Sequence, residues 1–131
     1  MFLDLAKKIS LNTLTLFRHQ KYPYSVLLED LKDKYDFSSN LYDVAISYQN
    51  ARVHNTTNVK FHSKWLFNNN CSDTLQIHFY DMDNTGTTQI YYDYQVSKLS
   101  DEDIDNIHSR IIEIVNQVLD NSLILLKDID I

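Results

Sequence analysis

The sequence predicts a two-layer α/β domain: a four-stranded, mostly antiparallel sheet with helices packed on one face. Three observations carry this. Apolar residues recur near a period of 3.6 in 2–17 and again in 100–119, the signature of amphipathic helices. Between them, 41–49, 60–67, 74–81 and 87–96 alternate apolar and polar side chains, as half-buried strands do. The connections between the last three strands are short, which favours hairpins. An apolar sheet face must be covered, and long helices are what the chain has to cover it.

With 131 residues, 44% of them hydrophobic and 23% charged, the chain has the size and composition of one globular domain, 1–131. Its apolar runs are far shorter than the roughly 18 residues of a membrane span, so no membrane partner is expected. Asp4 interrupts the apolar start that an export signal would need, and the expected location is cytoplasmic. The net charge of −6 repels a phosphate backbone, so nucleic acid is not an expected partner. The single cysteine, Cys71, excludes an internal disulfide and a cysteine metal cluster. Gly86 is the only glycine, which removes phosphate-cradling glycine loops from consideration.

In chain order, Phe2, Leu5, Ala6, Ile9, Leu16 and Phe17 form the stripe of the first helix, with Asp4 at its positive end. The pattern begins almost at Met1, which suggests a chain cut from a longer one. Pro23 suits the start of a second helix over 24–34, with Leu27, Leu28 and Leu31 as its buried stripe. In 41–49, Tyr42, Val44, Ile46 and Tyr48 face one way and Asp43, Ala45, Ser47 and Gln49 the other. Residues 50–58 form a polar loop. The strand 60–67 places Phe61, Trp65 and Phe67 on one face. In 74–81 the apolar positions are Leu75, Ile77 and Phe79, and in 87–96 they are Ile90, Tyr92, Tyr94 and Val96. Asp83 to Gly86 reads as a turn in which Asn84 and Gly86 accept positive φ. Ser100 is a good N-cap for the last helix, with Asp103 at the capping-box position. Its stripe is Ile104, Ile107, Ile111, Ile114, Val115 and Val118, and Asn121 is suited to a left-handed C-cap. Residues 123–131 read as an extended tail.

No catalytic or metal residue stands out. His62 and His78 fall on neighbouring strands with His54 nearby, but zinc needs three or four converging ligands, so polar-face histidines are the better reading. Asp81, Asp83 and Asn84 lack the distal bidentate Glu of a calcium loop. Tyr91, Tyr92 and Tyr94 suit strand packing. Asp101, Glu102 and Asp103 complement a helix start.

Several segments together resemble a known family. His19, Gln20, Tyr22, Pro23 and Tyr24 resemble the His-Gln-Asp-Tyr-Pro-Phe motif of nonribosomal peptide synthetase condensation domains, with Lys21 in place of Asp and Tyr24 in place of Phe. KYDFSSNL, ending in Asn40 and Leu41, resembles the family's Arg-Asp-x-Ser-x-Asn-Pro-Leu run without its proline. Ser47, Tyr48, Gln49 and Asn50 resemble the strand end that follows. KFHSKWLF is similar to a Lys-Phe-Asp-Leu strand, with His62 replacing Asp.

The resemblance implies the carboxyl-terminal lobe of a condensation domain, half of a chloramphenicol-acetyltransferase-like fold, with 123–131 leading out toward an adenylation domain. It implies that the motif residues have structural or tunnel-lining roles, with Ser47 and Gln49 toward the tunnel. It also implies partners: the amino-terminal lobe, the adenylation domain and peptidyl carrier proteins, whose phosphopantetheine arms enter that tunnel. No cofactor is expected to bind directly. The family's HHxxxDG motif is missing, since no two histidines are adjacent, so the chain is expected to be inactive alone. A homologous epimerisation or cyclisation domain, and a small independent binding or scaffolding module, are the other readings. An isolated lobe is expected to self-associate.

Overall fold

Helix α1 spans Phe2–Phe17 and α2 spans Tyr24–Tyr35, matching the predicted helices to within one residue. The structure, a computed structural model, describes residues 1–35, 41–50, 64–82 and 86–130. These group into two compact units: Met1–Asn40 with Glu102–Ile131, and Leu41–Asp101.

The first unit is helical. α1 opens with the Met1 amino group 3.3 Å from Asp4 Oδ2 and the Phe2 N–H donating to Ile124 C=O at 2.9 Å. It ends without a glycine. Arg18 keeps right-handed helical angles, and the chain tightens into three-residue turns as His19 N–H donates to Leu16 C=O and Tyr22 N–H to His19 C=O. Pro23 then starts α2: its carbonyl accepts the Leu27 N–H at 3.1 Å, and its missing N–H leaves nothing unsatisfied. Helix α3 spans Asp101–Asp120, which puts Ser100 at the N-cap position. Ile104 is buried, and Ile107, Ile111, Ile114 and Val118 are partly covered, at the spacing of a single helical face.

Several expectations for this unit need correction. The α1 stripe is not buried: Ile9, Leu16 and Phe17 are 55%, 68% and 58% exposed. On α2, Leu28 and Leu31 are only partly covered and Leu27 is exposed. Periodicity reveals which face is apolar, not what covers it. Val115 is exposed too, at the margin of the α3 stripe. Among the described residues Asn69 is the only non-glycine with positive φ, so Asn121 is no left-handed cap. Its carboxamide oxygen instead accepts the Leu123 N–H at 3.1 Å. The tail beyond is not fully extended, for Leu126–Asp128 makes one turn of 3-10 helix.

The second unit holds strands β1 (Val44–Gln49), β2 (Leu75–Tyr80) and β3 (Gln89–Tyr94), in the order β1-β2-β3. β2 and β3 are antiparallel, as expected. β1 and β2 are parallel, so the sheet is not mostly antiparallel. The long segment between Gln49 and Leu75 permits this, because a parallel return needs roughly a dozen residues or more. The second predicted strand, 60–67, does not form as expected: 64–67 carry no strand, and 60–63 lie outside the described residues. Of the predicted turn, Gly86 has the positive φ expected of it, 76°, while 83–85 lie outside the described residues.

Register sorts the side chains into two faces. Val44, Leu75 and Tyr94 align, as do Ile46, Ile77 and Tyr92, then Tyr48, Phe79 and Ile90. That face is apolar throughout, as the alternation predicted. Val96 is the exception: it lies beyond the end of β3 and is 84% exposed. The opposite face aligns Ala45, Gln76 and Asp93, then Ser47, His78 and Tyr91, then Gln49, Tyr80 and Gln89. Leu75 and Ile77 are buried on one side of β2, and His78 and Tyr80 on the other. The central strand is therefore covered on both faces.

Candidate functional site

The motif residues fall into two local groups, one in each unit. In the helical unit, His19, Gln20, Tyr22, Pro23 and Tyr24 form the turn between α1 and α2, and all are exposed. Tyr22 is fixed there, because its hydroxyl donates to Asp30 Oδ2 on α2. That hydrogen bond, with smaller effects of desolvation and of the Asp30 charge, raises the Tyr22 pKa above its usual value of 10.0. The turn thus presents backbone and side chains at the start of α2 in a defined geometry.

In the sheet unit, Leu41 and Asn50 flank β1 and are exposed. Ser47 and Gln49 are partly covered on the polar face, and Gln49 Nε2 donates to Ser47 Oγ at 3.4 Å. Tyr48 points to the opposite face and is exposed, its hydroxyl 3.5 Å from Asp81 Oδ2. Asn40 lies outside the described residues, as do His54 and His62.

Sequence reasoning missed a buried polar cluster on the sheet. His78 and Asp93 are both 7% exposed, on the face of the sheet they share with Ser47. His78 Nε2 lies 3.2 Å from Asp93 Oδ2, close but off the line of a formed hydrogen bond, and neither imidazole nitrogen has a hydrogen-bond partner among the described residues. Trp65 covers the pair: its indole N–H donates to the same Oδ2 at 3.0 Å, and its ring lies 4.1 Å from the imidazole, tilted by 31°. The signal available was the charge at Asp93 inside a tyrosine-rich strand. Its partner Trp65 is 28 residues away, beyond the reach of local pattern. In the same unit, a cleft of about 460 Å³ is lined by Phe67, Cys71, Tyr94 and Gln95 among others. Gln95 Nε2 ties its two walls by donating to the carbonyls of Cys71 and Ser72 at 3.1 and 3.2 Å.

Among the described residues this arrangement supplies no recognisable reaction centre, and no group of three or more His, Cys, Asp or Glu could hold a metal ion. No helix among them is long and apolar enough to cross a membrane. Burial on the apolar face pushes the Tyr92 phenol up from its ordinary value of 10.0.

The quoted motif residues among the described ones thus lie in the turn at the head of α2 and in or beside β1. The family model described as "Condensation domain" matches residues 1–131. The chain belongs to the condensation domain family. It is similar to a plipastatin synthase subunit of Bacillus subtilis, 26% identical over 129 residues, which is 98% of this chain and 5% of that protein. It is also similar to a surfactin synthase subunit of the same organism, 28% identical over 118 residues, 90% of this chain and 3% of the relative. The chain thus spans a small fraction of the curated relatives it matches. No solved structure matches it significantly.

Proposed function

We propose that this chain is part of the carboxyl-terminal lobe of a condensation domain that joins carrier-bound aminoacyl and peptidyl thioesters in nonribosomal peptide synthesis. The observation that carries the reading is the family match along 1–131 in a sequence with no adjacent histidines. The match speaks for the fold's scaffold, and the missing HHxxxDG motif speaks against chemistry by this chain alone. The apolar surface left exposed on α1 and on the Val44, Ile46 and Tyr48 side of β1 is what a lobe would offer to the rest of its domain.

In this reading the turn His19 to Tyr24 and the residues Leu41, Ser47, Tyr48, Gln49 and Asn50 shape the structure and line the path to the reaction centre, as does Asn40. The 123–131 segment leads toward an adenylation domain. Phosphopantetheine arms of peptidyl carrier proteins reach the centre from outside, and the amine attacks the thioester in a tunnel completed by the amino-terminal lobe. Alignment of the two arms contributes about 7–11 kcal/mol when both reactants are held.

The test is to offer the purified chain loaded donor and acceptor carrier proteins and to look for dipeptidyl product by mass spectrometry. No product above background is expected from the chain alone, and product is expected once the amino-terminal half is supplied in trans. Turnover by the chain alone refutes the reading. Stereoinversion without amide formation in the reconstituted protein would favour an epimerisation domain instead.

A further inference from the structure

The segment after α3 is tied down at several points within the helical unit. Asn121 Oδ1 accepts the Leu123 N–H, and Ile124 C=O accepts the N–H of Phe2 at 2.9 Å. The Asp128 N–H closes the short turn by donating to Leu125 C=O at 2.9 Å. The last tie is made by a side chain. Gln117 Nε2 donates to Asp130 C=O at 2.9 Å, and Gln117 Oε1 accepts the Asp130 N–H at 2.9 Å. One carboxamide thus meets both polar groups of one peptide residue, as a neighbouring strand would.

We propose that Gln117 is a clamp that turns 123–130 into a fixed strap on the helical unit, so that α3 sets where and in which direction the chain leaves at Asp130. As a device for orienting a following domain it rests on the reading of 123–131 as an exit segment. Three facts make Gln117 the decisive tie. Asp130 is itself exposed, so burial does not hold it. Gln117 is partly covered and sits in the last full turn of α3, where the helix backbone fixes its Cβ. Only a side chain with both a donor and an acceptor, at glutamine's reach, satisfies both groups of Asp130 together.

The experiment is amide hydrogen exchange by NMR on the full 131-residue chain and on Gln117→Ala and Gln117→Asn. Alanine removes both bonds in a residue that favours helix, and asparagine keeps the carboxamide but shortens its reach. Protection of the Asp130 amide in the parent chain is expected, and both variants should exchange it on the order of tenfold faster, with the amides of 104–115 unchanged. An Asp130 amide that exchanges freely in the parent chain overturns the clamp. So does an unchanged rate in either variant. The exchange pattern does not depend on any chemistry at carrier proteins, so failure of the condensation assay leaves it readable.

Discussion

Trp65 and His78 lie against each other, ring centres 4.1 Å apart, and both turn toward the carboxylate of Asp93. Trp65 is the only tryptophan in the chain, so its fluorescence reports on this cluster alone. Asp93→Ala leaves the indole N–H without its acceptor and removes the charge facing the imidazole. A red shift of the emission is expected, with a loss of about 1–3 kcal/mol in urea unfolding. Asp93→Asn, which keeps a carbonyl oxygen for the indole, should shift the emission less. Identical spectra for all three proteins would show that Asp93 does not hold Trp65.

Tyr22 offers a pH-dependent signal. Its hydroxyl donates to Asp30, which holds its pKa above 10.0. A pKa raised by folding stabilises the fold below the unfolded value, and that contribution is lost as pH rises through the folded value. Ultraviolet titration of phenolate should therefore show one tyrosine ionising later in the parent chain than in Asp30→Asn. Coincident titration curves would count against the hydrogen bond.

Ile77 is 5% exposed at the centre of the apolar face, register-aligned with Ile46 and Tyr92. Ile77→Ala is expected to cost about 2–5 kcal/mol, from lost transfer energy and the cavity left behind. Ile46→Ala, at a position 70% exposed, should cost far less. Equal losses in denaturant titrations would mean that Ile46 is covered as fully as Ile77, against the exposure of the β1 edge.

Self-association follows from the exposed apolar surface. Val44, Ile46 and Tyr48 are all at least half exposed, on a strand that carries no charge to discourage pairing. Light scattering should show mass rising with concentration, and Ile46→Lys should lower it. A monodisperse monomer at high concentration would refute this.

Local pattern determined much of this protein. Three helices fell within a residue of where period put them, because an amphipathic stripe and a proline at Pro23 act within a few residues. The alternation in 44–49, 75–80 and 89–94 also assigned the apolar face correctly, since strand side chains alternate whatever the partner. The resemblance carried by 19–24 and 47–50 made the condensation domain family legible.

Only the tertiary structure decided the direction of β1, the strandless path of 64–67 and the burial of His78 and Asp93 on the polar side of the sheet. Direction and pairing depend on contacts between residues far apart in the chain, to which neither helical nor strand periodicity responds. The same limit hid Trp65, His78 and Asp93, three ordinary letters in sequence that meet at one carboxylate oxygen in space. It also hid the Gln117 tie to Asp130, because a half-covered glutamine on a helix acquires its role from whatever backbone the fold returns to it.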